Sequence, residues 1–270
     1  EVKEFSKALL KKGYIEGLIY GNVSESQARV NTDLFTEILK IKPEKWQKVI
    51  HQGRLDFTAG EDITQVLKTQ VNNSCLWRLQ YFGENSIEEA AQAQVIGNFV
   101  ESPFYLEMRT NQQLGYIVWG GAASAEKSSY FYFIIQSGNH PAEYLANQAE
   151  QFSLTLPDSL RQLPEEDFLA IKNSVIEKIK EKPTSIEEQA GKYYTMAFDY
   201  NGNFNRNEEL IQAVENLTRE KSVEVLAKVL ANETLERATV LLYAKEHNVG
   251  ENIKSSFDSI NQWKNTRKYQ

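Results

Sequence analysis

The chain has 270 residues, 41% of them hydrophobic, with 30 Lys and Arg against 37 Asp and Glu for a formal net charge of −7. That apolar content supports a substantial core and excludes a disordered chain, and the acidic balance argues against a nucleic-acid binder held by phosphate contacts. One cysteine, Cys75, leaves neither a disulfide framework nor a Cys-cluster metal site, and no apolar run approaches the roughly 20 residues of a membrane span.

The chain opens EVKEFSKALLKK, with neither an initiator Met nor a signal-peptide pattern, and reads as a piece of something larger. Tyr14 to Gly21 (YIEGLIYG), ended by Gly21-Asn22, is expected to be a buried strand and its turn. Ser24 and Gln27 form a capping-box pattern, and Val30, Leu34 and Ile38 at four-residue spacing predict a helix with one buried stripe. A domain boundary is placed near residues 42–50, and a short strand at Arg54 to Thr58. Ser74 to Phe82 (SCLWRLQYF) reads as a half-buried strand. Ser86 and Glu89 cap a helix through Ala90, Ala93, Ile96, Phe99 and Val100 that Pro103 follows closely. Gly115 to Ala122 and Tyr130 to Gln136 predict a β-hairpin across the polar stretch Ser124 to Ser129.

From His140 the pattern turns helical. Leu145, Ala149, Phe152 and Leu156 share a face until Pro157, which is expected to kink or break the helix. A helix starting at Pro164 to Asp167 buries Phe168, Ile171, Val175 and Ile179 and ends before Pro183. Ser185 and Glu188 cap another helix to about Phe198, and two more lie near Asn207 to Asn216 and Thr218 to Leu230. A last strand, Ala238 to Ala244, precedes a polar tail from about Glu246. This order predicts an α+β fold, a two-layer sandwich of an antiparallel or mixed sheet covered by helices.

Little chemistry is concentrated in the motifs. His51, His140 and His247 are far apart and in polar, turn-like surroundings, so each is expected to be solvent-exposed rather than a metal ligand. Cys75 reads as a small buried hydrophobe, and Glu88-Glu89 and Glu165-Glu166 as dipole-compensating first turns. Residues 102–121, SPFYLEMRTNQQLGYIVWGG, stand apart. They set Arg109 and Tyr116 on either side of a polar Thr-Asn-Gln-Gln stretch, where an Arg and a phenol can hold a carbonyl or a developing oxyanion; a surface Arg beside a core-edge Tyr is the plainer reading of the spacing alone.

FYLEMRTNQQLGYIVWGG resembles the F…LRTxxQLGYxV signature in the carboxy-terminal half of the insulinase (pitrilysin-type) family of inverzincin zinc metallopeptidases. YIEGLIYGNVS, YFYFIIQS and KIKEKPTSIEEQAGKYY are similar to further family segments, so the resemblance covers about residues 14–245. It implies that residues 1–42 close a preceding homologous domain and that 43–270 form the C-terminal domain. It further implies a parent zinc metalloendopeptidase whose two halves close around peptide substrates. The zinc motif H-x-x-E-H belongs to the N-terminal catalytic half and is absent here, so this chain alone is expected to be inactive. By motif match, Arg109 and Tyr116 reach the active site and hold the substrate and its oxyanion. Lys182-Pro183 is followed by Thr184-Ser185 rather than by the lysines linked in this family to nucleotide or polyanion binding. A catalytically inactive binding or scaffolding subunit of the same family is the alternative. The partners expected are thus the N-terminal half and peptides, with no nucleic acid and no membrane, in either cytoplasm or periplasm.

Overall fold

The computed structural model describes residues 1–9, 12–13, 15–40, 42–43, 57–125 and 128–268. The chain divides into two compact units, one of Glu1–Gln52 with Glu181–Arg206, the other of Gly53–Lys180 with Asn207–Gln270. The elements begin with α1 (Val2–Leu9), β1 (Lys12–Gly13), α2 (Glu25–Leu39) and β2 (Lys42–Pro43). β3 (Glu61–Lys68), β4 (Ser74–Glu84), α3 (Ile87–Tyr105), β5 (Ile117–Ala125) and β6 (Ser128–Ser137) follow. Then come α4 (Ala142–Gln162), α5 (Glu165–Lys180), α6 (Ile186–Tyr194), α7 (Arg206–Asn216), α8 (Arg219–Leu230), β7 (Glu236–Tyr243) and α9 (Ile260–Asn265).

In the first unit, α2 forms as its capping box predicts. The Ser24 N–H donates to Gln27 Oε1 at 2.9 Å, and the Gln27 N–H donates back to Ser24 Oγ at 3.3 Å. Its apolar stripe is not buried, however: Val30, Leu34 and Ile38 are 64%, 51% and 67% exposed. The strand expected at Tyr14 to Gly21 is also absent over residues 15–20, which are exposed and irregular; Tyr14 lies outside the described residues. Both corrections have one cause. A stripe and a strand need a surface to face, and the only sheet among the described residues of this unit is the two-residue parallel pairing of β1 with β2.

The second unit holds a five-stranded sheet in the order β3-β7-β4-β6-β5. β3 runs parallel to β7 and the other pairs are antiparallel, so the fold is α+β with a mixed sheet. The strand that the sequence predicts at Arg54 to Thr58 lies before β3, which has no strand pattern of its own. Residues 54–56 lie outside the described chain, and 57–58 are not strand. EDITQVLK is charged at both ends with no clean alternation; its strand character comes from pairing with β7, Glu61 opposite Glu236 through Lys68 opposite Tyr243.

Side chains alternate across the sheet. The row Val118, Ile135, Leu76, Leu241 and Val66 faces α3 and α4, and its first four members are at most 5% exposed. Against it pack Ile96, Val100 and Phe104 of α3 and Leu145 and Ala149 of α4, with Phe104 and Phe133 ring centroids 4.8 Å apart. Both helices run through their prolines, Pro103 in α3 and Pro157 in α4, where the sequence predicts an end or a break. An interior proline costs about 3 kcal/mol. Fully buried Phe104 and Met108 beyond the first, and Leu156 and Leu160 flanking the second, each return about 1.5–3 kcal/mol by burial, so packing wins.

The segment after β7 is more than a polar tail. Ser256 and Ser255 bond the outer edge of β3, with the Ser256 N–H on the Thr64 carbonyl at 2.7 Å and the Val66 N–H on Ser255 Oγ at 2.9 Å. Trp263 of α9 then packs against Phe57 and Phe257 and under the Arg267 guanidinium. An edge strand is thereby covered.

One charged group is built into the helix face. Arg78 of β4, 5% exposed, donates to Glu150 of α4 at 2.7 Å, and Arg237 of β7 donates to the same carboxylate at 2.5 Å while it also pairs with Asp62. Burial, and then the neighbouring Arg237 charge, pull the Arg78 guanidinium down to about 10; Glu150 opposes both. Glu150→Gln therefore leaves two guanidinium groups with half their counter-charge. With the partial exposure of Glu150 discounted, it should lower stability by about 2–3 kcal/mol in a chemical-denaturation measurement, against less than about 0.5 kcal/mol for the exposed control Glu224→Gln.

Candidate functional site

The site is built at the end of α3. Beyond Tyr105 the helix widens into a π-helical segment, Leu106–Asn111, closed by the Gln112 N–H on the Glu107 carbonyl at 3.0 Å. Such wide turns are energetically poor and recur at functional sites. Two apolar plugs hold this one down. Met108 is fully buried and Leu114 is 2% exposed, and the Leu114 N–H reaches back to the Met108 carbonyl at 2.9 Å. Between the plugs the chain must reverse, and Gln113 takes a left-handed φ of 54° to do so. The turn is stapled by Glu107, whose two carboxylate oxygens accept from Asn111 Nδ2 and Gln112 Nε2, each at 2.8 Å. Those hydrogen bonds, Gln112 first, hold its carboxyl below the ordinary glutamate range.

Arg109 leaves this segment and donates through Nη1 to the Gly115 carbonyl at 2.8 Å, with its guanidinium 5.0 Å from the Tyr116 ring centre. Tyr116 is 83% exposed. The two side chains that the motif nominated are thus neighbours, at the mouth of a depression of about 660 Å³ that Tyr105, Ser137 and Asn139 also line. Among the described residues no carboxylate pairs with Arg109. A guanidinium offers five N–H donors, so several remain for a ligand carbonyl beside the Tyr116 hydroxyl.

Gly115 makes the arrangement possible. A Cβ there would stand 1.8 Å from the Gln136 carbonyl oxygen, so only glycine lets the loop lie this close to the end of β6 and present its own carbonyl to Arg109. Arg109 and Tyr116 stand out in the sequence, whereas the roles of Glu107, Gln112 and Gly115 emerge from the folded turn. The Glu-x3-Asn-Gln spacing was a usable signal for the staple. Ser137 and Asn139 were not findable, because strand pairing brings them in.

The other described groups that the sequence singles out make packing and hydrogen-bond contacts. Cys75 is half-buried, and burial raises its thiol pKa. His51 lies outside the described residues. His140 and His247, expected to be exposed, are both partly buried. His140 stacks on Tyr144 with ring centres 4.8 Å apart, and His247 Nδ1 meets the buried Ser74 Oγ at 2.8 Å, tying the end of β7 to the start of β4. Among the described residues no three His, Cys, Asp or Glu side chains are grouped to hold a metal ion, so the zinc implied for the parent finds no fitting donor set here. No described helix is long and apolar enough to cross a membrane.

The chain and its fold have counterparts among known proteins. Residues 95–194 match a family model described as the PQQ synthase PqqF-like C-terminal lobe, domain 4. The chain is 23% identical over 265 residues to the insulin-degrading enzyme of Drosophila melanogaster, covering 96% of the chain and 27% of that enzyme. It is 24% identical over 247 residues to the human enzyme, covering 90% and 24%. It therefore spans about a quarter of the length of these relatives. The crystal structure of pitrilysin superposes with a TM-score of 0.76 at 19% identity over 93% of this chain and 27% of that one. A peptidase M16 inactive domain from Pseudomonas fluorescens superposes at 0.60 and 15% identity over 85% and 53%. The fold is shared with both structures over most of this chain. Family match, relatives and fold together support a C-terminal domain of an insulinase-family peptidase.

Two outcomes follow from the geometry. Gly115→Ala must push the loop off Gln136, so stability should fall by about 2–3 kcal/mol and thermal denaturation will show it. The Glu107 staple is complete above the ordinary glutamate pKa and is lost as pH falls through the depressed one. In acid titration followed by NMR, the Gln112 side-chain amide should shift with a midpoint below the ordinary glutamate range, and Glu107→Gln should abolish that titration.

Proposed function

We propose that this chain is the substrate-holding, non-catalytic C-terminal part of a zinc metalloendopeptidase. Arg109 and Tyr116 donate hydrogen bonds to a carbonyl oxygen of a bound peptide as negative charge develops on it. The observation that carries this reading is the guanidinium of Arg109, oriented by the Gly115 carbonyl, unpaired with any described carboxylate, and set against an exposed phenol. Positioned donors of this kind stabilise an oxyanion more than a ground-state carbonyl, which is what accelerates a reaction.

The sheet supports a peptide ligand. Its face away from α3 and α4 carries the row Trp119, Ile134, Trp77 and Val240; Trp119, on the strand that leaves Tyr116, is 57% exposed, and Trp77 of β4 is 37% exposed. Apolar peptide side chains match such a surface. On the same reading, residues 1–42 close a preceding homologous domain and 43–270 form the C-terminal domain. The exposed stripe of α2 is the face that the rest of that preceding domain would cover. Zinc and the attacking chemistry come with the N-terminal catalytic half, which encloses the peptide against this one.

The test uses the full-length enzyme. Arg109→Ala should lower kcat/KM for peptide hydrolysis by about 10²–10³, and Tyr116→Phe by somewhat less. Melting temperature should hold, because an exposed Tyr and an Arg free of ion pairs contribute little to stability. The chain alone should not hydrolyse peptides, and adding the zinc-loaded N-terminal half should restore turnover. Wild-type rates for both variants would favour an inactive binding or scaffolding part instead.

A further inference from the structure

A second cavity, of about 740 Å³, opens between the end of β4, the first turns of α3, and helices α7 and α8. It shares no lining residue with the Arg109–Tyr116 depression. Tyr81 and Gly83, which line it, pair with Tyr130 and Ser129 near the start of β6, whereas Ser137, which lines the depression, ends that strand; a length of about 25 Å separates the two. Phe82, Ala213, Leu217, Val225 and Val229 give it apolar walls, and the volume lies within the roughly 300–1,000 Å³ of small-molecule sites.

One polar group is built into this wall. Gln92 is 6% exposed, and its Oε1 accepts from the fully buried Ser222 Oγ at 2.9 Å. That bond fixes the amide, and among the described residues no acceptor meets its two N–H donors. The α8 wall is fixed in turn by Gln80 Nε2 on the Val229 carbonyl at 2.6 Å. The Gln92 amide nitrogen is not enclosed, so a ligand oxygen entering the cavity can accept from it. The rim sets the charge of that ligand. Lys221 and Lys228 stand against Glu88, Glu89 and Glu236, and Lys221 is already paired with Glu224 at 2.9 Å. A rim with more carboxylates than ammonium groups gives no help to an anion.

We propose that this cavity binds a neutral, mainly apolar small molecule through a carbonyl oxygen that accepts from the Gln92 side-chain amide. The inference is independent of the peptide-holding reading, since it uses none of the same residues.

The probe is prodan, an uncharged naphthyl ketone whose emission reports both polarity and hydrogen bonding at its carbonyl. Wild-type protein should bind it saturably, one to one, with blue-shifted emission. Heptan-2-one should displace it, and heptanoate, of similar length but charged, should not. Gln92→Leu should weaken binding up to about tenfold and move the bound emission further to the blue, and Val225→Trp, which fills the cavity, should abolish binding. Circular dichroism establishes that each variant is folded, and the competition pair on wild-type protein remains decisive if one is not. Arg109→Ala should bind prodan as wild type does. The proposal is overturned by non-saturable wild-type binding, by equal displacement with heptanoate, or by a folded Val225→Trp that binds as tightly as wild type.

Discussion

The close approach of α3 to β5 is the contact on which the rest of the second unit depends. A Cβ at Gly97 would lie 2.5 Å from the Ala122 Cβ and 2.7 Å from its backbone nitrogen, so the helix can settle on this strand only where it has no side chain. Once seated, α3 buries Ile96, Val100 and Phe104 against the sheet. Its far end is carried to the start of β5. The π-helical segment extends from that end, and Met108 and Leu114 lock it to the same core that holds the helix. Arg109 is therefore positioned by packing, through a rigid helix, rather than by a mobile surface loop.

The arginines of this unit illustrate how burial separates structure from chemistry. Arg78 and Arg237 are enclosed and share Glu150, because an uncompensated guanidinium under α4 would cost more than any contact it made. Arg109 lies at the rim, half in water, where it survives without a carboxylate and spends one N–H on a backbone carbonyl. On the proposed reading, its remaining donors are already aimed when a ligand arrives. Preorganisation of this kind makes a donor useful to a reaction, because no dipole has to turn as charge forms.

The two concave features divide the unit by chemistry as well as by position. The depression at Arg109 is wet, cationic and beside an exposed phenol, and it suits a polar backbone carrying charge. The cavity at Gln92 has apolar walls, one fixed amide and a rim with more carboxylates than ammonium groups, and it suits a neutral molecule. Both occur where helices meet strand ends, since side chains there need not fill a continuous layer.

Much of this was readable along the chain, for local reasons. Capping boxes at Ser24, Ser86 and Ser185, apolar periodicity in α3, α4 and α5, and the aromatic runs of β4 and β6 gave the α+β class, the hairpin and most helices. The RT-x2-QLGY run brought Arg109 and Tyr116 forward together. What failed was whatever depended on partners distant in sequence. β3 has no strand pattern of its own and exists because β7 lies beside it; Pro103 and Pro157 break helices only where burial does not outweigh their cost. The stripe of α2 was correctly periodic yet faces water, because periodicity states which side is apolar and not whether anything covers it. The sequence by itself determined where most helices lie, which of their faces are apolar and which two side chains the proposed site rests on. Only the tertiary structure decided that Gly115 must be glycine, that Glu107 staples the turn, that His140 and His247 are packed, and that Gln92 faces a cavity. Each of those rests on a distance between atoms far apart in sequence or turned toward each other by a fold, and such distances are set by packing rather than by spacing.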